Sequence, residues 1–186
     1  MNRTEMDQLI AKAVKKMIVE YKGNREDINH FLKVHNYART LGILEGLDEK
    51  ALFTLELTAI THDIACPTCR KKYGNTLGHN QEIESEALLR PFFAEFNLPA
   101  DVLERIVFIV THHHTYTKVD GLDYQIMLEA DYLVNCDEGK KWRVDYQAFK
   151  ANVFKTESGK FLLDSMFPEL RDPSGVTEQL LDKVNK

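Results

Sequence analysis

The chain has too little of several things to be covalently braced, membrane-spanning or built to coat nucleic acid. Its three cysteines, Cys66, Cys69 and Cys136, cannot all pair within one molecule and are too few for a disulfide scaffold, so a reducing cytoplasm is the expected setting. No apolar run reaches the roughly 20 residues that cross a bilayer. The first twenty residues mix Arg3, Lys12, Lys15 and Lys16 with Glu5 and Asp7 where a signal peptide would carry an apolar core. Positive charge is not in excess either: 24 Lys and Arg against 29 Asp and Glu leave a net charge of -5, so no duplex-binding footprint exists and nucleic acid is not an expected partner. Strict apolar-polar alternation over a strand's length is also missing, which argues against a sheet.

What is present is helical periodicity. Apolar residues recur at spacings of three and four, and 44% apolar with 28% charged residues is ordinary for a globular chain, so one all-α domain over residues 1–186 is expected. The spacing predicts helices over 4–21 with Thr4 as cap, 25–45, and 49–63 with Asp48 as cap and Leu52, Leu55, Ala59 and Ile60 as the buried stripe. Further helices are predicted over 81–96, 101–111 capped by Asp101, 121–136, 146–154 and 176–184. Residues 161–166 read as a packed arm, ended by Pro168, within a C-terminal helical extension over 140–186. Its Phe161, Leu162, Leu163, Met166 and Phe167 would cover this core or that of a homodimer partner. Residues 65–80, with a proline, two cysteines and several basic side chains, read as a long loop.

Chemistry enters through adjacent His62 and Asp63, which close the apolar run of the third helix. Imidazole and carboxylate together suit a divalent metal. Neighbours on a helix point about 100° apart, so both reach one ion only at a helix end, with other ligands coming from distant helices. His30 is the best upstream candidate, because it shares a face with Val34 and Tyr37. His35 lies about 140° round the helix from His30, and reads as a structural or outer-shell residue. Downstream, Asp131 stands among Leu128, Ala130 and Val134 with Asn135 one turn on. A buried carboxylate needs a partner, and a metal is one.

These residues resemble the HD-domain phosphohydrolase superfamily. The pieces are His30-Phe31-Leu32-Lys33-Val34, then Glu45-Gly46-Leu47-Asp48, Thr58-Ala59-Ile60-Thr61-His62-Asp63-Ile64 and Glu129-Ala130-Asp131, in the family's order over residues 27–135. The resemblance implies an all-helical fold, His30, His62, Asp63 and Asp131 as ligands of one divalent ion (Mn, Fe, Co, Ni, Zn or Mg), and hydrolysis of a phosphate ester or anhydride of a small metabolite, a nucleotide first among them. Asp63 would orient the attacking water or take its proton. Lys33, where the family usually has arginine, and Arg70-Lys71-Lys72 would offer positive charge to the substrate. The alternative is a catalytically weak nucleotide- or metal-sensing domain on the same fold.

Some relatives hold a second ion through extra histidines. The family's intermediate histidine falls near Gln81, a poor ligand, which leaves His113 and His114 of the His112-His113-His114 triplet as candidates for a second ion or the leaving phosphate. Glu82, Glu84 and Glu86 are candidate proton carriers. Cys66-Pro67-Thr68-Cys69 has half-site spacing for zinc, with His79 and Cys136 the available partners, or for a redox pair, though structural use is the simpler reading.

Overall fold

Helix signals in the sequence translate into nine helices among the described residues, which in this computed structural model are 1–139 and 146–168. They are α1 Arg3–Tyr21, α2 Arg25–Leu44, α3 Glu49–Thr61, α4 Cys66–Tyr73, α5 Gly78–Phe93, α6 Ala100–Val110, α7 Leu122–Glu138, α8 Tyr146–Val153 and α9 Glu157–Met166. There is no strand among the described residues. No described helix is long and apolar enough to cross a membrane. The helix expected over 176–184, and the parts of the extension at 140–145 and 169–186, lie outside the described residues.

Local chemistry explains most starts and stops. Asn2, not Thr4, caps α1: its side chain accepts from the Glu5 N–H while Glu5 reaches back to the Asn2 N–H, a reciprocal pair that satisfies two otherwise orphaned donors. Asn24 caps α2 and Asp48 caps α3. Pro99 rather than Asp101 precedes α6, so Asp101 sits inside the first turn, where its charge favours the helix dipole. The arm expected at 161–166 is a helix that starts earlier, at Glu157, because the Thr156 side chain accepts from the Gly159 N–H.

The long loop expected at 65–80 contains a helix. Cys66 opens α4 with Pro67 in its first turn, and Gly74 ends it at φ +70, a left-handed conformation that glycine adopts without strain. Arg70, Lys71 and Lys72 hide its periodicity, since only Cys66 and Cys69, one turn apart, are buried. The α5 helix also begins sooner than periodicity implied, at Gly78.

The third helix organises the molecule. Every residue from Leu52 to Thr61 is buried, so α3 is wrapped on all sides, not packed along one stripe. Phe53, Leu57 and Ile60 join Met6, Ile10, Phe31 and Phe93 in one apolar cluster, whereas Leu55 and Ala59 join Val34, Leu41, Met127 and Leu133 in another. Polar atoms on this helix need internal partners, and they have them. Thr54, Thr58 and Thr61 donate to the carbonyls of Lys50, Thr54 and Leu57. Glu56 receives Arg3, His35 and Arg39. Burial pushes the Glu56 carboxyl up, but those partners together hold it below the usual carboxylate value. His35 is thereby engaged with Glu56, at 3.1 Å, and not with the His62-Asp63 end of α3.

Candidate metal centre

The centre forms where α3 ends against the middles of α2 and α7. A helix leaves its last carbonyls without partners, and His62, which caps α3, uses one of them: its Nδ1 lies 2.8 Å from the Ala59 carbonyl oxygen, which turns Nε2 inward. The backbone carbonyl of Asp63 is fixed by the Tyr21 hydroxyl at 2.5 Å and the Cys66 N–H at 2.8 Å. From α2, His30 places Nε2 3.3 Å from the His62 Nε2, 3.1 Å from Asp131 Oδ1 and 3.6 Å from Asp63 Oδ2. From α7, Asp131 lies 3.6 Å from the His62 Nε2 and accepts from the Asn135 side-chain amide one turn on, at 2.9 Å.

Beside this group is a second one. His113 follows α6, its Nδ1 2.7 Å from the Val110 carbonyl oxygen and its Nε2 3.7 Å from Asp63 Oδ1. The His114 ring packs against that of His113 with centroids 3.9 Å apart. The Nε2 atoms of both are buried without a hydrogen-bond partner. Two clusters of potential ligands result, His30, His62 and Asp63 in one and Asp63, His113 and His114 in the other, with Asp63 common to both. Its Oδ2 faces the first cluster and its Oδ1 the second.

The donor set fits a cation. Inward-facing nitrogens of His30 and His62 at 3.3 Å repel through their lone pairs unless a proton or an ion lies between them. Burial pulls the His30 imidazole down, but the hydrogen bond to Asp131, the charges of Asp63 and Asp131 and the hydrogen bond to Glu138 outweigh it and push it up to about 10. Burial raises Asp63 and Asp131, and the surrounding imidazoles reverse this and hold both well below the usual carboxylate range. In the second cluster, burial lowers His113 but Asp63 raises it above its ordinary value, while burial and neighbouring His113 push His114 down to about 4. A buried neutral imidazole with a free nitrogen is a ready ligand.

The remaining candidates sit elsewhere than expected. Lys33 is on the rim of the cleft above His30, with Nζ 3.1 Å from Asp137 and 3.0 Å from Glu138, so its charge is already paired. Glu82 does not face the cleft with a free carboxylate: one oxygen accepts from the His114 N–H and the Thr115 hydroxyl, both at 3.1 Å, and straps the histidine turn in place. Glu84 holds Lys72, and Glu86 holds Arg90. Arg70 lines the cleft and grips Asp27 with its two terminal guanidinium nitrogens, at 2.5 and 2.8 Å. His112 is exposed and stacks on Phe108, and His79 is exposed.

Neither ligand cluster among the described residues includes a cysteine, and Cys136 is buried on α7 within the second apolar cluster. The Cys66 thiol donates to the Gln81 side-chain oxygen at 3.3 Å, and burial pushes this thiol up, opposite to what a reactive thiolate needs. Both cysteines of the pair are buried and free. Gln81 spends its amide nitrogen on the Thr76 carbonyl at 3.0 Å, so it is occupied as well. Glu138, absent from the expectations, lies 2.8 Å from His30 Nδ1. Its signal was the seven-residue spacing from Asp131, about two helical turns.

Glycine at position 78 is dictated by this site, since a Cβ there would lie 2.5 Å from His114 Cγ. Gly78→Ala is therefore expected to drive the His114 ring out of the second cluster and to weaken ion binding there by roughly 10-fold or more. Isothermal metal titration of the stripped protein checks it, and unchanged stoichiometry and affinity would refute it.

Against models of known protein families, residues 27–136, more than half of the chain, match the HD domain. No curated protein matches the chain.

Proposed function

The chain belongs to the HD-domain superfamily of metal-dependent phosphohydrolases, and from that premise we propose that it hydrolyses a phosphate ester or anhydride of a small metabolite at the centre made by His30, His62, Asp63 and Asp131. The observation that carries this reading is the convergence of His30, His62 and Asp131 within 3.6 Å of one another, from three separate helices. A bound divalent ion would acidify water toward neutral pH and neutralise phosphoryl oxygens in the transition state.

The chain's own residues divide the remaining work. His30, His62 and Asp131 hold the cation from one side. Asp63 faces both clusters, so it serves as a shared ligand and as the group that orients water and takes its proton. The unpartnered Nε2 atoms of His113 and His114 support a second ion on the far side of Asp63. Arg70 and Lys33 flank the opening, held by Asp27 and Asp137, carboxylates that a phosphate dianion can replace. The cleft, about 660 Å³ and lined mainly by polar groups, has the capacity for a nucleotide, which is the substrate we favour.

The test is phosphate release from a panel of nucleoside mono-, di- and triphosphates and sugar phosphates by protein reconstituted with Mn, Co, Fe, Ni, Zn or Mg. Turnover of at least one nucleotide, abolished by chelation, is expected. Nucleotide affinity without phosphate release would favour the sensor reading, and no metal uptake would remove both.

A further inference from the structure

A histidine binds a cation well when its second ring nitrogen is anchored, because the anchor fixes both the tautomer and the ring plane. His62 and His113 obtain that anchor from orphaned carbonyls at helix ends, Ala59 and Val110. His30 has no such resource. It lies in the body of α2, where the neighbouring carbonyls are consumed by the helix ladder, so its Nδ1 needs a side chain from another element.

We infer that Glu138 is the positioning residue for His30, holding the Nδ1–H tautomer so that Nε2 is presented to the cation. Its Oε2 lies 2.8 Å from His30 Nδ1, and its Oε1 accepts from Lys33 Nζ at 3.0 Å. A carboxylate is acceptor-only, so this contact keeps a proton on Nδ1 and leaves Nε2, which faces His62, Asp63 and Asp131, as the nitrogen that a cation takes. Lys33, one turn beyond His30 on α2, prevents Glu138 from swinging away. The α7 helix thereby contributes twice: Asp131 touches the cation site directly, and Glu138, about two turns later, acts through His30. The inference rests on the reading of this centre as a metal site.

The experiment uses the full chain stripped of metal and titrated with Co²⁺, read by visible absorption, with Mn²⁺ affinity measured in parallel. Glu138→Ala is expected to weaken Co²⁺ binding roughly 10- to 100-fold and to alter the ligand-field bands. Glu138→Gln, whose amide oxygen still accepts from Nδ1–H, should recover part of that loss. Asp137→Ala is the control, because Asp137 is the adjacent acid on the same lysine and makes no contact with His30. It should bind within about two-fold of the parent, since a surface charge of this kind is worth little. Circular dichroism of Glu138→Ala should be unchanged, so that weaker binding reflects the lost anchor and not a lost fold. Glu138→Ala with parental affinity and bands overturns the inference alone, as does equal weakening by Asp137→Ala, which would make charge the cause. A parent chain that binds no Co²⁺ or Mn²⁺ overturns the metal reading and this inference with it.

Discussion

Asp63→Asn is expected to reduce phosphate release by about 10³-fold or more while leaving the helical circular dichroism signal in place. The magnitude follows from what is removed: a metal-assisted hydrolysis derives several kcal/mol from ion and oriented water, and each 1.36 kcal/mol is about ten-fold in rate. Asp63 is the one side chain common to both ligand clusters. An asparagine keeps the volume and the carbonyl oxygen but removes the charge that offsets a cation and the basicity that takes a proton. The fold should tolerate it, because the link between this turn and its surroundings runs through the backbone: the Tyr21 hydroxyl and Cys66 N–H both bind the Asp63 carbonyl. Steady-state kinetics with metal titration check the result. Normal turnover by Asp63→Asn with bound metal would place the chemistry elsewhere. His62→Ala should be comparably inactive, but with the metal lost and not merely misused.

How much of the fold and of the site is legible in the sequence depends on the range of the interaction. Helices with a clear apolar period and a polar cap, such as α3 behind Asp48, were legible because both signals are local. The pair His62-Asp63 was legible for the same reason: its position at the end of an apolar run put it at a helix terminus. His30 required one more step, the choice of a face, and His35 was set aside by the same geometry. Legibility failed where long-range partners decide. Helix α4 carries three basic residues in a row and shows almost no period; it is anchored by Cys66 against Gln81 and by Arg70 against Asp27, contacts across other helices. Glu82 looked like a proton carrier because an acid on a helix has no visible partner in one dimension, yet it receives the backbone of His114 more than thirty positions later. Lys33 is similar: its sequence neighbours gave no hint that two acids from α7 would neutralise it.

The same contrast underlies the expected result for Glu129→Ala, a loss of about 3–5 kcal/mol in stability with the catalytic residues untouched. Glu129 sits two positions before Asp131, on the side of α7 away from the cleft, and is fully buried. Its Oε1 accepts from the N–H groups of Lys155 and Thr156, at 2.7 and 2.9 Å, and from the Gln125 amide at 2.8 Å. Its Oε2 accepts from the Thr156 hydroxyl, and that hydroxyl in turn caps α9 by receiving the Gly159 N–H. One carboxylate thus closes the α8–α9 connection and starts the helix that lays Leu163 on the second apolar cluster. Glycine at position 159 fits this approach, since a Cβ there would come within 2.0 Å of Glu129 Oε2. Alanine at 129 would leave two backbone donors and a hydroxyl facing an empty space, and a buried donor without an acceptor costs most of its desolvation energy. For a chain of this size the loss corresponds to a fall in Tm of roughly 10 °C. Glu129→Gln, which can still accept on one oxygen, should fall about half as far. Chemical denaturation and calorimetry measure both variants. A Glu129→Ala protein melting within about 2 °C of the parent would mean that α9 is held by its apolar face alone. Loss of metal affinity without loss of Tm would instead mean that Glu129 acts through Asp131, which the packing of its carboxylate away from the cleft argues against.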